Sequence, residues 1–288
     1  MSEFSFDAQT RVVIVGCGKM GEAILAGILR ANVIEPSNII AVAPSTQRRD
    51  YLEETYGITC VTNAHELHSF DIGAHDICML AVKPQILFEV TADVKTATHG
   101  PLFVSIAAGI TLDSLHDALG EEASIARVMP NTPALVGQGC SLISVDEQCS
   151  QQQLEAVVEL FASFGKAYVI EEHLQNAGSA ISGAGPAYFA LIINALTRAG
   201  LTQGLKREVA EELSVATMKG TAAMLETLEI HPEQLIDMVT SPGGTTIAAV
   251  NVLETHGMRP AFTEAIDAAV IRAEELAWEH DDEFEDEE

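Results

Sequence analysis

Positive charge is scarce in this sequence. Its 15 Lys and Arg residues face 42 Asp and Glu residues, which gives a formal net charge of −27. Phosphate backbones are bound by clustered Lys and Arg side chains, so this balance argues against a nucleic-acid partner. Aromatic residues make up only 5% of the chain while 48% of it is hydrophobic, which indicates a globular protein with an aliphatic core.

Long apolar runs and cysteine pairs are also absent. No uninterrupted apolar run reaches the roughly 18 residues of a membrane helix, and residues 1–10 lack the pattern of a signal peptide. The 5 cysteines form no CxxC pair and are Cys17, Cys60, Cys78, Cys140 and Cys149. We therefore expect a cytoplasmic protein with reduced thiols, no metal site and no membrane partner.

The first half of the chain alternates apolar strand-like segments with helical ones. Strands are predicted at 11–15, 39–42, 77–82, 102–107 and 125–129, with a helix at 21–30 after the first. Two edge strands, at 140–145 and 167–170, flank a helix at 151–164 that Gly165 is expected to cap. This alternation predicts a sheet of parallel strands joined by crossover helices.

A glycine motif follows the first predicted strand and opens a helix. The segment GCGKMG at 16–21 fits GxGxxG in the context that binds a dinucleotide. Gly16 would form the turn, Gly18 would let the pyrophosphate reach the backbone, and Gly21 would let helix and strand pack. The loop also contains Cys17, Lys19 and Met20, and its helix start would face the phosphates. The sequence therefore predicts an α/β domain of the Rossmann type over residues 1–171.

The end of the second predicted strand indicates which dinucleotide is bound. An NAD site usually has Asp or Glu there, but no acidic residue occurs from position 36 to 49. The segment contains Pro44, Ser45, Arg48 and Arg49, and hydroxyl and guanidinium groups suit the 2′-phosphate of NADP. We predict NADPH as the preferred cofactor, with NADH as the alternative. The two arginines could instead be surface residues of the next helix.

Three further segments end predicted strands at the edge of the sheet where ligands bind. AVKP at 81–84 contains Val82, Lys83 and Pro84, and Lys83 would reach a ribose or phosphate unless it is only a solvated strand end. The segments 105–109 and 129–133 contain Ala107 and Asn131. They would form a stiff wall against a nicotinamide ring, although spacing alone fits ordinary loops equally well.

The second half of the chain is helical. Helices are predicted at 187–202, 206–228, 232–239, 246–256 and 260–278. We assign residues 172–280 to an all-α domain and 281–288 to a disordered acidic tail. The helices are rich in alanine, which favours close packing against a second copy of the chain and hence a homo-oligomer. The alternative is a compact single bundle.

A turn between two of these helices is a candidate anion site. It comprises Ser241, Pro242, Gly243, Gly244, Thr245 and Thr246. Glycines let a backbone approach a ligand, and the free N–H groups of the following helix suit a carboxylate. The alternative is an ordinary helix–helix turn with a threonine N-cap.

These motifs together resemble those of the pyrroline-5-carboxylate reductase family over about residues 11–276. The similarity is carried by GCGKMG, AVKP, AAG, MPNTP, SGAGPAY and VTSPGGTTIAAVNVLE, of which the last is the most specific. The resemblance implies a Rossmann domain followed by a helical dimerisation domain, assembled as homodimers that form a decamer. It also implies reduction of Δ1-pyrroline-5-carboxylate to L-proline with NAD(P)H, the last step of proline biosynthesis.

The resemblance also implies roles for individual residues. Thr246 would be the catalytic residue and would hydrogen-bond the ring nitrogen or the carboxylate of the substrate. Gly243, Gly244 and Thr245 would donate backbone N–H groups to that carboxylate, in the turn that begins at Ser241. Glu229 matches a position that contacts product in some members, and Asn63 and Ala107 match cofactor contacts.

Two departures from the family pattern stand near the predicted pocket. Ala184 replaces a serine of the usual SGSGPA segment, and Asn194 stands where an acidic residue is usual. A related architecture, that of β-hydroxyacid dehydrogenases, uses a lysine in the first helix of its second domain, and 187–202 contains none. A third possibility is an NADP-binding protein without catalytic activity, which would tolerate decay of SPGGTT and MPNTP, yet both segments are intact. None of the histidines is expected to be catalytic, and His173 and His231 are expected to be caps or surface residues.

Overall fold

One eight-stranded sheet organises the first part of the chain. This computed structural model describes residues 9–285, with side chains over 9–275. The strands are β1 (Val12–Val15), β2 (Ile39–Val42), β3 (Thr59–Val61), β4 (Ile77–Leu80), β5 (Leu102–Ser105), β6 (Ile125–Met129), β7 (Gly139–Val145) and β8 (Gly165–Val169). Their order in the sheet is β3-β2-β1-β4-β5-β6-β7-β8, and only the β6–β7 pair is antiparallel. The predicted parallel sheet is therefore confirmed.

Helices connect these strands and leave an apolar core on each face of the sheet. They are α1 (Lys19–Ala31), α2 (Thr46–Tyr56), α3 (Leu87–Ala97), α4 (Leu112–Leu119), α5 (Gln151–Ala162) and α6 (Gln175–Ser182). In β1, Val12 and Ile14 join the core that contains α1 and α5, whereas Val13 and Val15 join the core that contains α3 and α4. A strand buried on both faces is apolar throughout, which is why β1 reads as an unbroken apolar run.

The structure corrects three local predictions. The sequence reading missed β3, whose residues Thr59 and Cys60 are not buried and carry no apolar pattern. Gly165 does not cap α5, because the helix ends at Ala162 with Ser163 as its C-cap, and Gly165 begins β8. A Cβ on Gly165 would stand 2.1 Å from the carbonyl oxygen of Gly139, so the glycine permits close pairing of β7 and β8. The strands predicted to reach 82 and 107 end at Leu80 and Ser105, which frees the residues after them for loops.

The second part of the chain is entirely helical in the described residues. Its helices are α7 (Gly185–Thr202), α8 (Arg207–Leu228), α9 (Pro232–Val239), α10 (Thr245–Thr255) and α11 (Met258–Glu285). The backbone of α11 continues to Glu285, beyond the predicted end at 278, because Ala and Glu are good helix formers and an acidic run does not stop a helix. Residues 286–288 of the predicted tail lie outside the described residues.

The chain divides into two compact units. The sheet unit comprises Met1–Ala184 and Val270–Glu288, and the helical unit comprises Gly185–Ala269. The sheet unit includes α6, which packs on β7, whereas the sequence reading placed the boundary at 171/172.

One helical stretch has the length and composition of a membrane span. Residues 172–202 have a mean hydropathy of 1.3 in their most apolar window, of which 17% is buried. The prediction from uninterrupted runs did not register this stretch, because polar residues and glycines interrupt it. Length and composition alone are weak evidence for a membrane, and an exposed apolar helix is equally what a dimer interface requires.

Candidate active site

The glycine loop between β1 and α1 has the geometry that its three glycines were predicted to provide. Gly16 has a φ of +89°, and a Cβ there would lie 2.5 Å from Cγ1 of Val82. Gly21 has no room either, because its Cβ would lie 2.9 Å from the carbonyl oxygen of Gly16. Gly18 differs, since no heavy atom stands within 4 Å of its Cβ position. The loop is therefore closed on the protein side and open at Gly18.

The open side of this loop has backbone donors. Gly18 is the N-cap of α1 and makes no side-chain cap hydrogen bond, so the first-turn N–H groups are not capped by a side chain. Lys19, Met20 and Gly21 form that first turn, and Lys19 is exposed. Uncapped N–H groups at a helix start suit a pyrophosphate.

Arg48 braces the same loop from the side of α2. Its Nε donates to the carbonyl oxygen of Cys17 at 2.9 Å, and its Nη2 lies 3.4 Å from that of Gly18. Nη2 also pairs with Glu22 at 2.6 Å. Because these carbonyl groups are bound by Arg48, the brace fixes the conformation of the loop.

Glu22 is the centre of the cluster around this arginine. Its carboxylate accepts hydrogen bonds from Arg48 and, at 2.9 Å each, from the hydroxyls of Tyr51 and Tyr56. Burial raises the pKa of Glu22, but the hydrogen bonds from Arg48, Tyr56 and Tyr51 outweigh it and hold that pKa below its ordinary value. Burial raises the pKa of the adjacent Cys17 thiol to about 12, so this thiol is an inert part of the loop.

The end of β2 holds the remaining residues that were predicted to select NADP. Ser45 is the N-cap of α2, and its Oγ accepts from the backbone N–H of Arg48 at 3.4 Å. The Nη1 group of Arg49 donates to the carbonyl oxygens of Ala43 and Pro44 at 2.8 Å each. Both arginines therefore stand beside the segment after β2, held by defined contacts.

The loops after β3, β4, β5 and β6 contain the other predicted cofactor residues. Asn63 is exposed and its side chain caps a short helical turn by accepting from the N–H of Glu66. Lys83 is exposed, between the partly buried Val82 and Pro84. Ala107 is buried after β5, at 5% exposure.

Asn131 has a different environment from these loop residues. It is 7% exposed, donates to the carbonyl oxygen of Ser182 at 2.9 Å and accepts from the N–H of Cys140 at 2.8 Å. Its side chain is thus already engaged in holding the loop after β6.

A small cavity lies where β5 and β6 end. It encloses about 70 Å³ and is lined by Ala107, Ala108, Gly109, Arg127, Val128, Met129, Gln175, Asn176, Ser179 and Ala273. Arg127 donates to Glu172 at 2.8 Å, and the same carboxylate oxygen accepts from the N–H of Leu112 at 2.7 Å. Gln175 is 2% exposed, and its Oε1 has no hydrogen-bond partner.

In the helical unit, the turn between α9 and α10 has the form of a β-turn. The N–H of Gly244 donates to the carbonyl oxygen of Ser241 at 2.9 Å. Pro242 occupies the second position and Gly243 the third, with a φ of +67°, the arrangement of a type II turn. A Cβ on Gly244 would stand 2.4 Å from the Oγ of Ser241, so a larger residue at the fourth position would displace that hydroxyl.

This turn leaves the start of α10 uncapped. The N-cap is Gly244, with no side-chain cap hydrogen bond, so the alternative of a threonine N-cap is wrong. Thr245 and Thr246 form the first turn of α10, and both are exposed. The structure therefore presents backbone N–H groups and two hydroxyls on one short surface, as an anion site requires.

Glu229 and His231 lie in the short connection between α8 and α9. Glu229 ends α8 in the left-handed conformation, with a φ of +50°, which is uncommon for a residue other than glycine. His231 is the N-cap of α9, where its Nδ1 accepts from the N–H of Glu233 at 3.2 Å. The prediction that His231 is a cap is confirmed.

The helical unit buries few side chains of its own. Among its described residues, only a handful are below 9% exposed, including Thr197, Ala210, Ser214 and Leu235. Many large apolar side chains are more than half exposed, among them Phe189, Leu191, Leu196, Leu213, Val252 and Leu253. Such a surface is far more apolar than a monomer exposes, and it marks an interface.

Comparison with known proteins shows which family has these two units. A family model described as pyrroline-5-carboxylate reductase dimerisation matches residues 172–276, and one described as NADP oxidoreductase, coenzyme F420-dependent, matches residues 11–109. The chain is 41% identical to the pyrroline-5-carboxylate reductase of Synechocystis sp. over 263 residues, which cover 91% of this chain and 97% of that protein. The chain belongs to the pyrroline-5-carboxylate reductase family.

Other members of the family support this assignment. The reductase of Escherichia coli is 38% identical over 271 residues, 93% of this chain and 99% of that protein. The Plasmodium falciparum pyrroline carboxylate reductase, solved with NADP bound, is 31% identical with a TM-score of 0.83 and covers 94% of this chain and 99% of its own. The Coxiella burnetii reductase reaches a TM-score of 0.86 at 31% identity, covering 93% of this chain and 99% of its own.

The sequence reading missed the residues that support this reductase fold from outside the motifs. Glu22 forms an ion pair across 26 positions, Arg127 pairs across 45, and Gln175 contacts Ser144 across 31. Glu22 and Gln175 lie in ordinary helical patterns, so no local signal distinguishes them. Only a charged residue inside the apolar strand β6, Arg127, was visible in the sequence as an anomaly.

Proposed function

We propose that this chain reduces Δ1-pyrroline-5-carboxylate to L-proline with NADPH, the last step of proline biosynthesis. The observation that carries the proposal is the uncapped start of α10 behind the Ser241–Gly244 turn, in a chain that also has an open dinucleotide loop at Gly18. One site suits the carboxylate of the substrate, and the other suits the pyrophosphate of the cofactor.

The residues of the sheet unit fit NADPH. The pyrophosphate would fit into the open space at Gly18. It would accept hydrogen bonds from the uncapped N–H groups of Lys19, Met20 and Gly21. Ser45, with Arg48 close by, suits a 2′-phosphate, because neither residue brings an acidic group to the ribose. When bound, NADPH supplies the hydride that the imine carbon of the substrate accepts.

The remaining predicted cofactor residues lie at the ends of neighbouring strands. Parallel strands end at one edge of a sheet, which is where such folds bind their ligands. We assign to this edge Cys17, Pro44, Asn63, Val82, Lys83, Pro84, Ala107 and Asn131. Asn131 contributes by shaping the loop after β6, since its own amide already bonds Ser182 and Cys140.

The helical unit provides the substrate site. The backbone N–H groups of Thr245 and Thr246 bind the carboxylate, whereas the N–H of Gly244 already donates to Ser241, and Gly243 gives the turn its left-handed step. The Oγ of Thr246 hydrogen-bonds the ring nitrogen or the carboxylate. Ser241 supports the turn by accepting from the N–H of Gly244, and we assign a substrate contact to Glu229, the C-cap of α8.

The chemistry explains why no strong acid is needed. A protonated C=N bond is already electrophilic, so the protein must orient it and stabilise the carboxylate rather than donate a proton. Hydride addition at carbon and the existing N–H give the secondary amine of proline, and atoms and charge balance. A site of Gly, Ser and Thr is sufficient for this role.

The chain acts as a homo-oligomer. The exposed apolar side chains of the helical unit and the dimerisation match over the same residues support a dimer. We propose further that five dimers associate into a decamer, in the cytoplasm, where the 5 cysteines stay reduced. Light scattering of the purified protein should give ten chain masses, and a stable species of two chain masses would limit the assembly to the dimer.

Replacing Thr246 by alanine tests the substrate site. We expect kcat/KM for pyrroline-5-carboxylate to fall by roughly 10–100-fold, the scale of one oriented hydrogen bond in a dry site, while the Kd for NADPH stays unchanged. Thr255→Ala is the matched control, because Thr255 lies at the other end of α10 and bonds only the carbonyl oxygen of Asn251. Loss of NADPH binding in the Thr246 variant would show that Thr246 has been assigned to the wrong site.

Substrate specificity tests the reaction itself. NADPH oxidation should be fast with pyrroline-5-carboxylate and slower with the six-membered piperideine-6-carboxylate. A β-hydroxyacid with NADP should give no reaction, since α7 contains no lysine. Oxidation of the hydroxyacid at a comparable rate would contradict the proposal.

A further inference from the structure

The cavity at the ends of β5 and β6 contains a buried acceptor that nothing in the protein satisfies. Gln175 is 2% exposed, lines the cavity, and leaves its Oε1 without a hydrogen-bond partner. More than nine in ten buried polar groups find a partner, so an orphaned acceptor beside a cavity indicates a missing donor.

The orientation of the Gln175 amide is determined by its neighbours. The hydroxyl of Ser144 donates to the carbonyl oxygen of Ile170 at 2.8 Å, so the Ser144 oxygen can only accept from Gln175. The Nε2 group of Gln175 donates to that oxygen at 2.9 Å and lies 3.5 Å from the carbonyl oxygen of Arg127. These contacts place the amide nitrogen away from solvent and leave Oε1 as the free atom.

The electrostatics of the cavity favour a neutral donor over an anion. Its only cationic side chain, among the described lining residues, is Arg127, and that guanidinium is paired with Glu172 at 2.8 Å. Apart from Gln175, the rest of the wall is neutral and mostly apolar, and it comprises Ala107, Ala108, Gly109, Val128, Met129, Asn176, Ser179 and Ala273. A carboxylate would find no free positive charge here, whereas an amide NH₂ would satisfy Oε1.

The position of the cavity identifies the amide. It lies at the carboxyl ends of β5 and β6, the edge where a Rossmann fold binds the nicotinamide half of its cofactor. We infer that Gln175 binds the carboxamide of the nicotinamide, with Oε1 accepting from the carboxamide NH₂ group. The inference rests on the proposed function only in taking NADPH as the cofactor.

The structural reason for such a contact is orientation of the ring. An apolar wall holds a flat ring but does not determine which way its carboxamide points. A single fixed acceptor on a residue of the cavity wall determines this direction and hence which face of the ring is presented. Gln175 is thus a positioning residue, whose amide nitrogen is held by Ser144 and whose buried oxygen has no partner in the protein.

A cofactor analogue tests the contact by binding alone. In reduced 3-acetylpyridine adenine dinucleotide phosphate, a methyl group replaces the carboxamide NH₂. We expect wild-type protein to bind it about 10-fold more weakly than NADPH, measured by titration of the reduced-nicotinamide fluorescence, because a buried acceptor loses its donor. In Gln175→Met, which keeps the volume but has no acceptor, the two Kd values should agree within about 2-fold.

Two further variants make the comparison decisive. Ser141→Ala removes the other orphaned buried oxygen, which does not line the cavity, and should keep the wild-type 10-fold ratio. Gln175→Leu repeats the test if the methionine variant fails to fold, as judged by circular dichroism. Both Gln175 variants also lose the hydrogen bond to Ser144. This loss weakens the binding of NADPH and of the analogue equally, so it cancels from the ratio of their Kd values.

The outcomes separate this inference from the proposed function. A 10-fold ratio that persists in the Gln175 variants, or a wild-type ratio near 1, overturns the contact and assigns Oε1 to ordered water. If wild-type protein shows such a result while still reducing pyrroline-5-carboxylate with NADPH, the proposed function stands and only the contact fails. If wild-type protein binds no NADPH, both fail.

Discussion

Arg48 is the residue at which the choice between NADPH and NADH can be measured most directly. It has two separable roles in the structure. Its Nε and Nη2 groups bind the loop carbonyl oxygens of Cys17 and Gly18 and the carboxylate of Glu22. Its side chain is also 27% exposed beside the segment that would face a 2′-phosphate. Arg48→Met removes all donors while keeping a long apolar stem.

The two roles predict different magnitudes for the two cofactors. Loss of the loop brace removes about 1 kcal/mol of net hydrogen bonding and weakens NADPH and NADH alike, by roughly 5-fold. Loss of a charge-assisted contact to the 2′-phosphate removes a further ~1.5–3 kcal/mol from NADPH only, which is roughly 10–150-fold. The preference for NADPH over NADH should therefore fall at least about 10-fold in Arg48→Met.

Fluorescence titration of both cofactors at fixed ionic strength measures these factors, since salt screens the phosphate term. Arg30→Met is the control for removing one positive charge from a chain of net charge −27, because Arg30 hydrogen-bonds the carbonyl oxygen of Leu135 at 3.4 Å and not the glycine loop. An equal loss for NADPH and NADH would refute the 2′-phosphate role and leave Arg48 as a loop brace.

Two other predictions follow from the same unit. Gly18→Ala should raise the Kd for NADPH at least about 10-fold but leave the melting temperature within about 2 °C of wild type, because the new Cβ enters open space. Gly16→Ala should also lower the melting temperature, since Gly16 has a φ of +89° and its Cβ would lie 2.5 Å from Val82. Similar melting temperatures for the two variants would contradict this expectation. Burial lowers the pKa of His116, but hydrogen bonds to Asp146 and Gly120 outweigh it and raise that pKa above 6.5. The contribution of protonated His116 to the stability of the folded state is therefore complete below pH 6.5 and is lost as pH rises through the folded pKa. In denaturant unfolding, His116→Gln should lower the free energy of unfolding by about 1–2 kcal/mol at pH 5.5 and by less at pH 8.5. A loss of unfolding free energy that is the same at both pH values would show that the ion pair with Asp146 does not stabilise the protein.

The glycine loop and the turn before α10 could be predicted from the sequence, because the conformation of each is set by residues adjacent in the chain. A GxGxxG segment between a buried strand and a helix requires a positive φ at one glycine and free space at another, and Gly16 and Gly18 have these properties. The same holds for the turn at Gly243, whose φ of +67° only glycine adopts readily. The strand β3 was not predicted because it has three residues, of which only Val61 is buried, and so short a segment gives no periodic signal.

The long-range partners were not accessible in this way. Glu22 pairs with Arg48, and Asn131 bonds Ser182 and Cys140, while Gln175 keeps an unpaired oxygen. Each of these properties depends on residues that the fold brings together from distant positions in the chain. Asn131 stands in a predicted motif, but nothing in the local sequence indicates the partners of any of these three residues.

The sequence by itself determined the class of the protein, namely a dinucleotide loop followed by a helical half with the SPGGTT turn. Glycine conformations and helix starts are set by neighbours in the chain, so they survive in the one-dimensional pattern. Only the tertiary structure decided which polar groups are already satisfied and which remain for a ligand. That distinction depends on distances between segments, and it separates Asn131, whose amide is engaged, from Gln175, whose oxygen is not.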